Sequence, residues 1–149
     1  MAYVPNRVRS YLLVSLQLVC LGGIVLTGPW VASAKAFLVL EVLGGLLGAW
    51  ALGTMNLRNL NIFPDVKAGS WLVTSGPYRV IRHPMYTALL MLTLALVLDS
   101  PSSWRIGIWV LLVLILVQKL RYEEQLLNQR FPQYGEYQGR TARLIPMVF

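Results

Sequence analysis

Residues 11–34 read YLLVSLQLVCLGGIVLTGPWVASA, and none of them carries a charge. At ~1.5 Å per helical residue, such a run crosses the ~30 Å hydrocarbon layer of a bilayer. Arg7 and Arg9 precede it and Ala32-Ser33-Ala34 close it, a layout shared with cleavable secretory signals. Its apolar stretch exceeds the ~7–15 residues of a signal core, so it reads as a membrane helix over residues 10–28, ended by Gly28-Pro29.

The same reading extends outward. A second apolar segment covers residues 36–57 and holds one acid, Glu41. A third covers 84–98 and a fourth 104–118, both short for a full span. Asp99-Ser100-Pro101-Ser102-Ser103 joins them as a tight hairpin, with Ser100 expected to cap the fourth helix and Pro101 to occupy its first turn. Arg105 and Lys119, at the two ends of that helix, are expected to snorkel toward the interfaces. The expected fold is therefore all-α: one polytopic membrane domain over 1–149 with about four transmembrane helices. Residues 1–55 supply two of them. Residues 56–149 supply a loop, the third–fourth hairpin and a helical tail.

Composition agrees. The chain is 56% hydrophobic and 13% charged, whereas soluble domains carry about 25% charged residues. The formal net charge of +7 comes from 13 Lys+Arg against 6 Asp+Glu. On a soluble chain this excess would point to nucleic acid; on this apolar background it reads as membrane orientation, with no nucleic-acid partner. With a cytoplasmic N-terminus and four crossings, eleven of the 13 basic residues fall inside, leaving out only Lys35 and Arg105. Arg58, Lys67, Arg79, Arg82, Arg121 and Arg143 are among those inside, and both termini are then cytoplasmic.

Within the second segment, Gly44 and Gly48 form a GxxxG pair, and Gly45, Ala49 and Gly53 repeat the small-residue spacing. Such faces let helices approach closely in lipid, here preferentially within the chain rather than across a dimer. Glu41 is costly in a span unless paired, so it is a functional candidate by default, with snorkelling toward Lys35 as the alternative reading. The single Cys20 lies in an apolar run and reads as inert packing. The fourth helix continues past Gln118 through helix-forming residues until Phe131-Pro132 ends it. Tyr134, Tyr137, Leu144 and Ile145 mark a short amphipathic tail.

Two polar clusters carry the chemistry. One is Gly76-Pro77-Tyr78-Arg79-Val80-Ile81-Arg82-His83-Pro84-Met85-Tyr86, with the only histidine at the expected N-terminus of the third helix. Backbone N–H groups there favour an anion; the cluster reads equally as an interfacial belt of Tyr, Arg and His. The other is Lys119, Arg121, Glu123 and Glu124, where Lys119 and Glu123 share a helix face and an ion pair on a solvated surface is the plainer reading. One His and one Cys, without HxxxH or CxxC, argue against a metal site. No P-loop or GxGxxG occurs.

These clusters, in this order, resemble the isoprenylcysteine carboxyl methyltransferases and their phospholipid methyltransferase-like relatives. The matching parts are Leu72-Val73-Thr74-Ser75-Gly76-Pro77-Tyr78, Arg82-His83-Pro84-Met85-Tyr86, Glu123-Glu124, Phe131-Pro132-Gln133-Tyr134 through Tyr137, and Arg143-Leu144-Ile145-Pro146. The resemblance covers about residues 56–149. It implies S-adenosylmethionine as cofactor, bound at the cytoplasmic face, and methyl transfer to a small or lipophilic acceptor. Carried over by position, Trp71, Leu72, Val73, Tyr78, His83, Pro84, Met85, Tyr86 and Glu123 would bind the donor. Tyr78 and Tyr86 would face its sulfonium by cation–π contact. Lys119 stands where the family places an Arg near the substrate, with Arg121 the nearest alternative; Glu123 or Glu124 would serve as base for an amine or hydroxyl acceptor. Ala88 replaces a frequent Gly, and the tail is one residue shorter than the usual pattern. Two other readings remain at this stage, a nicotinamide-dependent reductase on a related scaffold and a non-enzymatic membrane scaffold.

Overall fold

The computed structural model describes residues 6–55, 59, 61–64 and 69–146. Five helices follow one another: α1 (Arg7–Leu26), α2 (Lys35–Met55), α3 (Pro84–Asp99), α4 (Ser103–Arg130) and α5 (Tyr134–Arg140), with a 3-10 turn at Gly76–Arg79. The described residues contain no strand. α1, α2 and α4 are long and apolar enough to cross a membrane, and α3 is a shorter apolar helix. Outward-facing Leu12, Leu18, Val19, Val39, Leu46, Trp50, Val110, Leu111 and Leu114 are exposed, as lipid-facing side chains of a polytopic membrane protein are and as those of a soluble one rarely are. Residues 56–57, the expected end of the second segment, lie outside the described residues, as do Arg58 and Lys67.

The main packing partner of the first helix is not its sequence neighbour. α1 packs chiefly on α4, and α2 on α3. Both pairs run antiparallel: Asn6 N–H donates to Tyr122 Oη at one end of the first pair, and Arg105 reaches Ile24 O at the other. The core joins the pairs through Leu13, Cys20, Ile24, Leu96, Val97, Leu112, Ile115 and Leu116, so Cys20 is packing. Gly44 is where α2 meets α3, since a Cβ there would lie 3.0 Å from Met91 Cβ and 3.2 Å from Ala88 O. The GxxxG face thus serves packing within the chain.

Four expectations are corrected. Ser102, not Ser100, caps α4, its Oγ accepting from Arg105 N–H; Ser100 is the C-cap of α3, and Pro101 precedes the helix. Arg105 and Lys119 do not snorkel; each is 2% exposed. Arg105 donates to Ile24 O (3.0 Å), Leu96 O (2.9 Å) and Thr27 Oγ1 (3.1 Å). Lys119 donates to Gln17 Oε1 at 2.8 Å. Glu41 does not turn to Lys35 but accepts the Ala32 N–H at 2.8 Å, fastening the α1–α2 connection.

The alternating helices bring the start of α1, the end of α2, the start of α3 and the last third of α4 to one end of the bundle. α4 runs unbroken to Arg130, as expected, with Phe131 as C-cap. At ~1.5 Å per residue its 28 residues outrun the ~30 Å hydrocarbon layer. The surplus length carries Glu123 and Glu124 to this end.

Candidate functional site

The tail builds one wall. After α5 the chain turns back beside the segment that precedes α3. Arg82 N–H donates to Ala142 O (2.8 Å), His83 N–H to Arg143 O (3.1 Å) and Ala142 N–H to Val80 O (3.0 Å), a parallel bridge centred on Ile81 and Ala142. Thr87 Oγ1 donates to Leu144 O at 2.8 Å, and Tyr137 Oη to Tyr78 O at 2.6 Å. Gly76 makes the entry turn: its φ of +56 is left-handed, and Thr54 Oγ1 occupies the space a Cβ would need.

Glu124 is the hub of this wall. Its Oε1 accepts from Arg82 Nε at 2.8 Å and its Oε2 from Arg143 Nε at 3.0 Å. Arg82 also donates to Gln138 O, Thr141 O and Thr141 Oγ1, so one guanidinium joins α4 to the tail. His83 stands between the two acids, Nε2 3.4 Å from Glu124 Oε1 and Nδ1 3.8 Å from Glu123 Oε2. The acids differ in access: the Glu124 side chain is 4% exposed and that of Glu123 27%. Tyr86 stacks on His83 with ring centroids 5.4 Å apart and planes 7° from parallel. Its hydroxyl donates to Glu123 Oε2 at 2.9 Å. Lys119 Nζ lies 5.3 Å from the centroid of the same ring.

These groups surround a cavity of about 340 Å³, within the range of small-molecule sites (about 300–1,000 Å³). Of the residues singled out in the sequence, Trp71, Leu72, Val73, Tyr78, His83, Met85, Tyr86, Lys119 and Glu123 line it. Pro84, Arg121 and Glu124 do not. Pro84 is the buried first residue of α3, Arg121 is exposed, and Glu124 sits behind His83 in the ion-pair network. Lys119 and Glu123 share a face without pairing, because Lys119 turns to Gln17 and Glu123 to Tyr86. Tyr86, with His83 stacked on it and Lys119 beside it, is less free to meet a bound cation than Tyr78.

Two buried hydroxyls in the lining, Tyr78 Oη and Tyr134 Oη, have no hydrogen-bond partner among the described residues. Leaving such a group unsatisfied costs about 1–3 kcal/mol, so the cavity is built for a polar ligand. Burial above all, and then the nearby acids, push both phenols well above the ordinary tyrosine range. They remain neutral donors. Among the described residues no three His, Cys, Asp or Glu side chains gather as a metal site.

Sequence reading missed Gln17, Tyr134 and Tyr137 as lining residues. Gln17 had a signal, a lone amide inside an uncharged span.

A family model described as phospholipid methyltransferase matches residues 29–134. The chain is 31% identical over 122 residues to the cobalt-zinc-cadmium resistance protein CzcN of Cupriavidus metallidurans, covering 81% of this chain and 53% of that protein. It is 28% identical over 105 residues to the nickel-cobalt-cadmium resistance protein NccN of Alcaligenes xylosoxydans xylosoxydans, 70% of this chain and 49% of the relative. With protein-S-isoprenylcysteine O-methyltransferase A of Arabidopsis thaliana it shares 38% identity over 80 residues, 52% of this chain and 40% of that enzyme. The chain spans about half the length of the curated relatives it matches.

Proposed function

Because the chain belongs to the phospholipid methyltransferase family, we propose that it is a membrane methyltransferase that takes its methyl group from S-adenosylmethionine and delivers it to a lipophilic acceptor. The observation that carries this reading is the convergence of His83, Tyr86 and Glu123 on one cavity with two unsatisfied phenols, Tyr78 and Tyr134. That donor set fits the cofactor. Neutral tyrosine hydroxyls suit its many polar atoms, and Glu123 supplies a negative charge for a cationic centre.

Bound S-adenosylmethionine supplies an electrophilic methyl group on a sulfonium. The protein's part is then positioning. Trp71, Leu72 and Val73 wall off water on one side. Tyr86 fixes the Glu123 carboxylate by its 2.9 Å hydrogen bond. Glu124 ties Arg82 and Arg143 together behind His83 and does not line the cavity, which makes it a positioning residue rather than a base. Arg121, exposed and off the cavity, has no part in the chemistry.

We take the site end of the bundle to face the cytoplasm. Arg7, Arg9, Arg79, Arg82, Arg121, Arg130, Arg140 and Arg143 belong to that end, while Lys35 and Arg105 belong to the other. A charged, water-soluble donor would enter there, and the acceptor would come from the lipid.

Calorimetry with S-adenosylhomocysteine on the detergent-purified protein tests the reading. Saturable binding is expected, weakened about tenfold or more in Glu123→Gln and His83→Ala, the loss that follows from one charge-assisted contact. No binding to the unmodified protein, or equal binding in both variants, contradicts it.

A further inference from the structure

Trp71, Leu72 and Val73 line the cavity from a segment that is neither helix nor strand. Leu72, Val73 and Thr74 make no main-chain hydrogen bond among the described residues. Trp71 is 47% exposed, so neither packing nor a ladder of backbone bonds holds this wall in place. A stretch with few buried contacts and no internal hydrogen bonds is free to move unless a side chain ties it down.

One side chain does so. Trp71 N–H donates to Asn59 Oδ1 at 3.2 Å, and Asn59 Nδ2 donates to Trp71 O at 2.9 Å. A single carboxamide thus meets both main-chain groups of one residue, as a neighbouring strand would. Its nitrogen also lies 3.4 Å from Met55 Sδ, at the last residue of α2. Asn59 is half-buried and itself lines the cavity. Because α2 packs on α3, the clamp refers the wall to the helix pair that presents Met85 and Tyr86 to the same cavity. The pairing needs one donor and one acceptor side by side, which a carboxamide has and a carboxylate lacks.

On the methyltransferase reading above, we propose that Asn59 is a positioning residue of the donor site, and that it acts through the main chain of Trp71. Its clamp holds Trp71, Leu72 and Val73 at the spacing from α3 and α4 that the methyl donor requires. Asn59 takes no part in methyl transfer. Without the clamp the ligand itself must order the wall, and that entropy is subtracted from its affinity.

The test is calorimetric titration of the detergent-purified whole protein with S-adenosylhomocysteine, in the unmodified form and in Asn59→Ala and Asn59→Asp, between about pH 8 and about pH 4.5. A neutral carboxylic acid can accept from Trp71 N–H and donate to Trp71 O, as the carboxamide does; a carboxylate can only accept. Near pH 8 both variants are expected to bind about tenfold more weakly than the unmodified protein. The protonated acid is the form that clamps, so the liganded Asn59→Asp protein holds that proton more tightly and binding improves as pH falls. Its deficit should shrink about threefold by pH 4.5, while that of Asn59→Ala stays constant. His83, Glu123, Lys119 and the cavity tyrosines are common to all three proteins, so the ratio of affinities isolates residue 59. A merely structural role would lower the unfolding midpoint of the unliganded protein and leave that ratio flat with pH. Binding equal to that of the unmodified protein in either variant near pH 8 overturns the proposal, as does a deficit in Asn59→Asp that does not change with pH. Should Asn59→Ala fail to fold, the isosteric Asn59→Asp decides alone. Failure of S-adenosylhomocysteine to bind the unmodified protein overturns the methyltransferase reading instead.

Discussion

Helix α4 buries two cations, Arg105 in its first turn and Lys119 just past its middle, and the two are held in opposite ways. Arg105, at the end away from the site, is surrounded by acceptors that belong to the fold. Ile24 O and Leu96 O are carbonyls in the last turns of α1 and α3, where the helix dipole is negative and the backbone oxygens lack helical partners. A guanidinium there closes three helices at once and is not among the residues that line the site cavity. Lys119 has one amide and an open space. The difference teaches what burial alone does not: Arg105 is held by groups of the fold, with only its Nε left without a partner among the described residues, whereas Lys119 lies beside the cavity. Glu124 and the arginines around it frame the site end in a third way, by ion pairs that tie the tail to α4.

The largest expected effect breaks that frame. Glu124→Gln leaves Arg82 and Arg143 without their shared counter-ion, and losing one partner of a buried pair costs about 3–5 kcal/mol. Thermal unfolding in detergent should fall accordingly, with the tail from Tyr134 onward becoming sensitive to protease before the helices. Arg105→Met should cost less, about 1–3 kcal/mol, from the carbonyls it strands. It should spare the cavity, so S-adenosylhomocysteine affinity stays unchanged.

Tyr137→Phe removes the 2.6 Å bond to Tyr78 O, worth about 1 kcal/mol, and carries a pH signature. Burial first, and the nearby Glu124, against the opposing influence of Arg82, push the Tyr137 phenol up to about 12. A folded value above the unfolded one means that the folded state holds the proton more tightly. The resulting stability is complete below pH about 10 and is lost as pH rises toward 12. Tyr78 and Tyr134 act in the same direction, so Tyr137→Phe should shallow the alkaline slope of the unfolding midpoint without abolishing it. The smallest expected effect on stability is that of Lys119→Met. Replacing a buried, under-paired cation with an apolar side chain of similar length should leave the midpoint within about 1 kcal/mol. A large loss there would mean that Lys119 is held as Arg105 is, and would dissolve the comparison.

Much of this was legible in the sequence. Uncharged runs locate the helices because hydrocarbon permits little else, and α4 could be followed to Phe131-Pro132 from propensity alone. The RHPxY element and Glu123 announced the cavity. The pairings across distance were not legible. Arg82 and Glu124 are 42 residues apart and Gln17 and Lys119 are 102, and no periodicity links them. The rule that polar residues inside membranes are functional was applied to charged Glu41, which turned out to fasten a loop, while neutral Gln17 passed unremarked. Snorkelling failed because Arg105 found three acceptors inside the bundle and Lys119 turned to the Gln17 amide. Ser100 was passed over as the α4 cap because it ends α3, which leaves Ser102 to begin the next helix.

The most direct measurement is the shift in thermal unfolding midpoint on saturation with S-adenosylhomocysteine, compared between Arg105→Met and Glu123→Gln. A ligand that binds only the folded protein raises the midpoint in proportion to its affinity. Arg105→Met should start lower and rise by as much as the unmodified protein, whereas Glu123→Gln should start near the unmodified midpoint and rise little. A full rise in Glu123→Gln together with none in Arg105→Met would contradict the account and move the binding site to the other end of the bundle.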